Sequence, residues 1–533
     1  MIPQEALDRN LALMNIIQPL GSVLDKMTDV GTAPISEEVL RFKARAWTNR
    51  IKEVRDTIYS DPRIGTRFNL NSNPQCKSVL YGKLRFPEVK RYDTANHRET
   101  VTVNQYAINL LYYNTKDPLL RSWGLLQRLR HRKSNFVDKL LLYKPCPKCT
   151  DKSRWACDHC AGSGYGEILG PNPRYVSIRD GWWWLHPVYL QLAITGRLNC
   201  LDPNLLQWPR NSVTWNIDCR DIFVAPPGKS FVLTDRSKAE RLVGAVIFND
   251  PITLAEVMSG SKAFSGLAQD CFGLTEAECR KGTDWYTAMK TSAYSDQYFV
   301  QAQTLHEYLM KQDIHLPLAE CKRVLSFLAE RYASYKANAE QFVWEKLRMP
   351  RPHTRNLHGR LFRFEMPIEL SEMEFRTVKY TRNAKARAAF AEMCRKIVSF
   401  VIQGSATGDD CQLTALKIVD ELDQITRPGF FSLYRYLNGD WTKAAPFIFK
   451  HDEWGILCDD DLIPEVKALL KKHAEDFNHL EPYLTTTFDK TFNMGSETEV
   501  QKQWSVEPEE GWEQMLEIKN AEHFYRNGIR FKA

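Results

Sequence analysis

A mostly apolar hairpin with acidic residues at its tip is the feature that most constrains this fold. Residues 446–450 and 454–457 form two arms that flank His451, Asp452 and Glu453. Acids at a turn are often only solvated turn formers. Paired carboxylates beside buried strands, however, are costly unless a cation neutralises them. The hairpin therefore predicts either a plain acidic turn or a metal site at the edge of a sheet.

A second apolar segment, residues 229–235, reads as a strand that ends in Asp235. Asp235 and Asp452 offer only oxygen ligands, which favour Mg²⁺ or Mn²⁺. Two such ions can activate a 3′-hydroxyl and stabilise leaving pyrophosphate in an in-line displacement. The alternative is that Ser237 and Glu240 form a capping box and that Asp235 merely favours the helix N-terminus.

Lys290, Tyr294 and Tyr298 recur at intervals of four residues and therefore project from one face of a predicted helix. A lysine that contacts a triphosphate, followed by aromatic rings that stack on a base and pack near a sugar, would make a nucleotide-binding helix. The alternative is a tyrosine stripe in the core with the lysine at its rim. The two acidic segments favour the nucleotide-binding interpretation.

Four of the thirteen cysteines, Cys146, Cys149, Cys157 and Cys160, form two C-x₂-C pairs. This spacing predicts a tetrahedral structural Zn²⁺ site, because four soft ligands select zinc over the hard catalytic metals. Redox-active disulfides are the competing interpretation. The remaining cysteines are scattered singly, as in proteins of a reducing compartment.

The order of patterns along the chain predicts an α+β fold with helical subdomains around a small sheet. Residues 1–60, 102–140 and 237–350 read as helical, whereas residues 173–235 read as mixed with short strands. No secretory signal and no run of about eighteen apolar residues is present. We therefore expect a cytoplasmic protein without membrane association. The net charge of +7 is a weak indication of a polyanionic partner.

Seven segments, in this order, resemble motifs of the family A (polymerase I-like) DNA polymerases, and together they span residues 68–453. The segments that carry the resemblance are Phe68-Asn69-Leu70-Asn71-Ser72, Thr195-Gly196-Arg197-Leu198, Leu233 to Pro251, the helix face of Lys290, Gly359-Arg360, Arg395 with Gln403-Gly404-Ser405-Ala406, and His451-Asp452-Glu453.

The resemblance implies a role for each matching residue. Asp235 and Asp452 would be ligands of two Mg²⁺ or Mn²⁺ ions, with Glu453 as an auxiliary acid. Glu240 would exclude a 2′-hydroxyl beside a dNTP bound by Lys290, Tyr294 and Tyr298. Primer and template would be contacted by Asn69, Asn71, Lys133, Arg197, Arg395, Gln403 and His451.

The resemblance also implies a right-hand polymerase, with an antiparallel sheet in the palm and helical fingers and thumb. The expected divisions are thumb 1–140, zinc-ribbon-like insertion 141–172, palm 173–254, fingers 255–365 and palm again 366–533. Only 67 residues precede Phe68, too few for a proofreading exonuclease domain. We therefore expect no proofreading in this chain, a bacteriophage or mobile-element origin, a host bacterial cytoplasm, and a separate exonuclease subunit or other replisome proteins as candidate partners.

Several positions depart from the family pattern. Tyr286 stands where the family has an arginine that contacts the triphosphate, and Phe299 stands where it has a glycine. Thr407 and Gly408 interrupt the family's Ala-Ala-Asp. These departures indicate a divergent member.

Two acidic runs imitate the catalytic motifs of other polymerases. Gly408-Asp409-Asp410 is predicted to be a loop or a helix cap, and residues 459–461 a plain acidic turn. Two functional alternatives remain open: a single-subunit RNA polymerase, which Glu240 argues against, and a catalytically inactive DNA-binding replication factor, which retention of Asp235 and Asp452 argues against.

Overall fold

The computed structural model describes residues 4–93, 98–149, 154–209, 217–258, 263–428, 437, 439–476 and 496–504. The helices in these ranges are α1 (Gln4–Val30), α2 (Glu37–Tyr59), α3 (Asn73–Lys77), α4 (Gln105–Thr115), α5 (Pro118–Arg132), α6 (Ala239–Ile247), α7 (Pro251–Met258), α8 (Ala263–Phe272), α9 (Asp284–Gln297), α10 (Ala302–Lys311), α11 (Leu318–Arg331), α12 (Ala333–Leu347), α13 (Phe375–Tyr380), α14 (Ala384–Gln403), α15 (Asp410–Thr426) and α16 (Ile463–Glu475). None of them combines the length and the apolar character that a membrane crossing needs.

The strands are short, and every pairing between them is antiparallel. This mixture of helices and strands confirms the predicted α+β class. The strands are β1 (Ala33–Ile35), β2 (Lys90–Asp93), β3 (Arg98–Val101), β4 (Leu141–Pro145), β5 (Tyr165–Pro171), β6 (Val176–Arg179), β7 (Trp182–Leu185), β8 (Val188–Leu190), β9 (Asn199–Leu201), β10 (Lys229–Arg236), β11 (His353–Arg355), β12 (Leu361–Arg363), β13 (Ala444–Lys450), β14 (Glu453–Asp459) and β15 (Ser496–Gln501).

A four-stranded sheet in the order β13-β14-β10-β15 positions the acidic residues. β13 and β14 are the two arms of the predicted hairpin, and β10 is the predicted strand that leads to Asp235. β10 lies between β14 and β15, and its residues 230–234 are buried on both faces of the sheet. Gly455 in β14 is required by this packing, because a Cβ there would lie 2.5 Å from the Cδ2 of Leu233.

Two large hydrophobic clusters form the core of the described residues, and the sheet belongs to the first. The first joins α1, α2, α4 and α5 to the buried face of the strands, and the second lies among α8 to α12 and α14. A smaller cluster forms around α6 and includes Leu242 and Ala406. Because α6 directly follows β10, this third cluster fixes the strand end against the helical turn at residues 404–409.

The two acidic runs that imitate other polymerases lie outside any hairpin tip. Gly404–Asp409 forms a π-helical turn, and α15 continues from it, so a single interrupted helical path runs from α14 into α15. Of the two predicted alternatives, a loop or a helix cap, the structure supports the second in position only: Asp409 is the N-cap residue of α15, and its side chain makes no capping hydrogen bond. After β14, a single 3₁₀ turn, Asp460–Leu462, leads into α16, and this confirms the predicted acidic turn.

The cysteine-rich segment is closed at its base by the β4–β5 hairpin. Arg55 of α2 anchors the segment to the helical layer, because its guanidinium donates to the carbonyl oxygen of Cys157 and pairs with the carboxylate of Asp158. Arg55 is almost fully buried. The cysteine-rich segment is therefore held against α2.

Candidate active site

Three carboxylates form a row across the central sheet. In the register of the strands, Asp235 on β10 lies opposite Glu453 on β14 and opposite Glu497 on β15. Side chains at paired positions project from the same face of a sheet, about 5 Å apart. Like charges placed directly opposite one another destabilise a sheet, and Lys281, whose ammonium pairs with Glu497 at 2.7 Å, offsets part of this charge.

Asp452 joins this row from the turn between β13 and β14. Its carbonyl oxygen accepts a hydrogen bond of 2.9 Å from the backbone N–H of Arg236, which places it beside the end of β10. His451 adopts a left-handed conformation at φ 54° and makes the turn tight. Burial, with the nearby Glu240 carboxylate, raises the pKa of Asp452 to about 6. The structure thus brings together Asp235 and Asp452, as the sequence predicts.

The carboxylate of Glu240 is held by three side chains. One oxygen pairs with the guanidinium of Arg197 and accepts a hydrogen bond of 3.0 Å from the hydroxyl of Thr407. The other oxygen accepts from the phenol of Tyr298. α6 begins at Ala239 with Lys238 as its N-cap. The capping-box alternative for Glu240 is therefore wrong.

Helix α9 presents its predicted face toward the carboxylates. Lys290 is exposed, whereas Tyr294 and Tyr298 are half-buried and pack against the second hydrophobic cluster. Burial raises the pKa of the Tyr294 phenol, and the charges of Glu240, Asp452 and Asp235 raise it further. The tyrosines therefore both line the site, where the phenol of Tyr298 bonds to Glu240, and pack against the core.

The π-helical turn contacts the loop that contains Arg197. Gly408 lies against the backbone of Thr195, where a Cβ would be 2.1 Å from the carbonyl oxygen. The amide of Gln412 donates to the carbonyl oxygen of Gly196. Arg197 completes the contact, because its Nε donates to the hydroxyl of Thr407 at 2.8 Å. These contacts fix the guanidinium of Arg197 beside Glu240.

The two aspartates next to Gly408 are structural. Asp409 is fully buried. Its carboxylate accepts a hydrogen bond of 2.7 Å from the side-chain amide of Asn356 and pairs with the guanidinium of Arg360 at 2.6 Å. Asp410 is buried and pairs with Arg236, the residue that follows Asp235. The pair thus ties the end of β10 to α15.

The predicted primer and template contacts lie in different environments. Asn71 and His451 are exposed, whereas Asn69, Arg395 and Gln403 are half-buried. The backbone N–H of Asn71 donates a hydrogen bond of 2.9 Å to the side-chain Oδ1 of Asn69, which forms a turn before α3. Lys133 is buried, with its ammonium paired to Asp138. The structure does not bring Lys133 to the surface, because Asp138 holds it in the interior.

Two positions that depart from the family pattern, Phe299 and Tyr286, lie at opposite ends of α9. Phe299 adopts a left-handed conformation at φ 57°, which a glycine adopts without strain. Tyr286 is half-buried at the N-terminal half of α9. Near it, Lys281 pairs with Glu497 at 2.7 Å, and this pairing, with a contribution from Asp235, raises the pKa of Lys281.

Sequence reasoning missed Glu497, Lys281 and the hydroxyl of Thr407. Glu497 and Lys281 lie in segments with no motif. Thr407 did have a signal, since it replaces a small apolar residue in the matching segment.

The four cysteines converge as their spacing predicts. Their sulfur atoms all lie within 4.8 Å of one another. Two of the separations are 3.9 Å (Cys146–Cys157) and 3.7 Å (Cys149–Cys160). A zinc ion with Zn–S bonds of about 2.3 Å in tetrahedral geometry requires sulfur–sulfur separations of about 3.8 Å. The donor set and its dimensions therefore fit one tetrahedral zinc ion.

Comparisons with known proteins agree on one family. The model described as DNA polymerase family A matches residues 37–499. DNA polymerase I of Deinococcus radiodurans is 25% identical over 467 residues, which are 87% of this chain and 40% of that protein. The DNA polymerase of Bacillus phage SP01 is 24% identical over 318 residues, which are 56% of this chain and 29% of that protein. The chain thus spans less than half the length of these curated relatives.

The fold has a counterpart among solved structures. The POL domain of Pol1 from M. smegmatis, in complex with DNA primer-template and dNTP, superposes with a TM-score of 0.64. The likeness covers 92% of this chain and 70% of that chain, at 19% sequence identity. The mixed helix and sheet fold is therefore that of a polymerase domain.

Proposed function

Because the chain belongs to DNA polymerase family A, we propose that it is a template-directed DNA polymerase that adds dNTPs to the 3′ end of a primer. One observation carries the proposal: Asp452, which is far from Asp235 in the chain, lies beside the end of β10, because its carbonyl oxygen accepts from the backbone N–H of Arg236, the residue after Asp235. Catalysis of nucleotidyl transfer depends mainly on positioning and electrostatics, and this constellation supplies both.

In the proposed reaction, Asp235 and Asp452 hold two Mg²⁺ or Mn²⁺ ions, with Glu453 as an auxiliary acid. Their donor atoms are all oxygens, which is the set these hard cations prefer. When bound, the ions supply positive charge at the attacking 3′-oxygen and at the leaving pyrophosphate. Burial disfavours the ionised form of Asp452, so this carboxylate is expected to gain from a nearby cation.

The remaining roles concern binding of substrate. Lys290 contributes a positive charge for the triphosphate, and Tyr294 and Tyr298 face the base and the sugar. Glu240 excludes a 2′-hydroxyl, because both of its oxygens are held by protein groups and its position is fixed. Exclusion of the 2′-hydroxyl by Glu240 favours DNA synthesis over RNA synthesis.

We assign the primer and template contacts to Arg197, Arg395, Gln403, His451, Asn69 and Asn71. Lys133 is left out of this set because it is buried on Asp138. Backbone phosphates are the partners expected for the arginines, and such contacts give sequence-independent, salt-sensitive binding.

The proposed divisions are those that the family resemblance implies. The thumb is residues 1–140, the palm 173–254 and 366–533, and the fingers 255–365. Residues 141–172 form an insertion with one structural zinc, supported by the spacing of its four sulfur atoms. The zinc site is closed, since four protein ligands leave no open position for substrate.

Primer extension tests the proposed function. The full chain is incubated with Mg²⁺ and a 5′-labelled primer–template, with dNTPs in one set of reactions and rNTPs in another. We expect template-directed extension with dNTPs and little with rNTPs. Preference for rNTPs would indicate an RNA polymerase instead. Binding of the duplex without extension by either set would indicate a replication factor without catalytic activity.

A further inference from the structure

The hydroxyl of Thr407 lies at the centre of the contacts that hold Glu240. It accepts a hydrogen bond of 2.8 Å from the Nε of Arg197 and lies 3.0 Å from one carboxylate oxygen of Glu240. Thr407 is 3% exposed, so water has little access to its hydroxyl. One small side chain therefore connects a cation and an anion that are themselves paired.

The orientation of this hydroxyl follows from its hydrogen-bonding capacity. A threonine hydroxyl has one proton and two lone pairs. Arg197 has only donors, so the hydroxyl must accept from it. Its single proton then goes either to Glu240 or to the carbonyl oxygen of Gln403, which lies 3.2 Å away. The carboxylate is the closer and the charged acceptor, and charge-assisted bonds are the stronger ones.

The backbone fixes Thr407 in place. It lies in the π-helical turn of residues 404–409, which is packed on the loop of Thr195 through Gly408. π-helical turns are frequent at functional sites. The position of the hydroxyl is therefore set by the backbone, whereas Arg197 and Glu240 carry longer and more flexible side chains.

Removal of the hydroxyl would leave two defects. The Nε–H of Arg197 would lose its acceptor, and one oxygen of Glu240 would lose a donor. The ion pair between Arg197 and Glu240 would remain, but a single ion pair allows both side chains to move together. Among the described side chains, the phenol of Tyr298 would still bond to the other carboxylate oxygen of Glu240.

We propose that Thr407 is a positioning residue that fixes the carboxylate of Glu240 and thereby sets the discrimination against ribonucleotides. This inference rests on the proposed DNA polymerase function, in which Glu240 faces the sugar. Thr407 does not contact the substrate in this account. The competing role is purely structural: its hydroxyl would bond only to the carbonyl of the preceding helical turn.

The test compares Thr407→Val, which keeps the shape and removes the hydroxyl, with Thr407→Ser, which keeps the hydroxyl. Incorporation of a single dNTP and of the matching rNTP gives kcat/KM for each, and their ratio is the readout. Thr426→Val is the control, because Thr426 is a buried threonine of α15 whose hydroxyl bonds to the carbonyl oxygen of Leu422. Thr407→Ala provides a second variant should Thr407→Val not fold.

We expect Thr407→Val to raise the rNTP-to-dNTP ratio about tenfold, the effect of one lost hydrogen bond to a charged group. Thr407→Ser should keep the wild-type ratio, and so should the control. A wild-type ratio in both Thr407→Val and Thr407→Ala, with dNTP extension still measurable, would overturn the proposal. A wild-type chain that extends no primer would instead contradict the DNA polymerase function itself.

Discussion

Gly408→Ala tests the packing that positions Arg197. In an exposed helix, replacement of glycine by alanine stabilises a protein by about 0.5–1 kcal/mol. At Gly408 the new Cβ would lie 2.1 Å from the carbonyl oxygen of Thr195 and 3.3 Å from that of Gln403. An ordinary van der Waals contact needs about 3.5 Å, so the backbone of the turn or of the Thr195 loop must move by more than 1 Å.

Overpacking of this kind costs about 1–3 kcal/mol, and here both contacting groups are backbone and cannot rotate away. The clash therefore outweighs the gain in helix propensity, and we expect Gly408→Ala to lower the free energy of unfolding by about 2 kcal/mol. Because the displaced loop carries Arg197, we also expect slower primer extension.

Urea unfolding, followed by circular dichroism, measures the first effect, with Gly266→Ala as the matched control. Gly266 lies in helix α8, and a Cβ there would meet no described atom within 4 Å. The control should raise the urea midpoint, whereas Gly408→Ala should lower it. A rise in both midpoints would refute the argument that the turn at Gly408 is packed on Thr195.

Three further predictions follow from the site and its surroundings. Metal analysis should find about one zinc per chain, and mutation of any one of the four clustered cysteines to serine should lower the zinc content. A wild-type protein without zinc would contradict the proposed zinc site. Asp410→Ala removes the carboxylate that pairs with the buried guanidinium of Arg236, and it should lower the free energy of unfolding by about 3–5 kcal/mol. Asp461 is exposed, and Asp461→Ala should change the free energy of unfolding by less than about 0.5 kcal/mol. Urea unfolding measures both effects. Phe299→Gly should be about 1 kcal/mol more stable than Phe299→Ala, because both variants lose the ring but only alanine is strained at φ 57°. The reverse order of stability in thermal unfolding would contradict this prediction.

Local patterns in the sequence were sufficient to predict the elements that carry the site. The apolar arms around Asp452, the strand before Asp235 and the spacing of Lys290, Tyr294 and Tyr298 each depend on side chains close together in the chain. The four cysteines were also predictable from local sequence, since the spacing within the two C-x₂-C pairs determines most of their geometry. In each case, periodicity and turn chemistry decide the local structure.

Contacts between distant segments could not be read in this way. Glu497 joins the carboxylate row only because β15 pairs with β10, and no pattern near Glu497 indicates that pairing. Lys133 looked like a surface cation in a basic helical region, but Asp138 and the fold of the following hairpin bury it. Glu240 fitted a capping box by spacing alone, yet its carboxylate is bound by groups from three other parts of the chain.

The most direct test of the central claim is single-turnover primer extension by Asp235→Asn, Asp452→Asn and the control Asp461→Asn. All three variants keep the size of the side chain and remove one negative charge. If Asp235 and Asp452 hold the catalytic ions together, each of their variants should lose at least about a hundredfold in rate and still bind the primer–template. Asp461→Asn should extend primers at the wild-type rate. An extension rate within a few-fold of wild type in Asp235→Asn or Asp452→Asn would contradict the account.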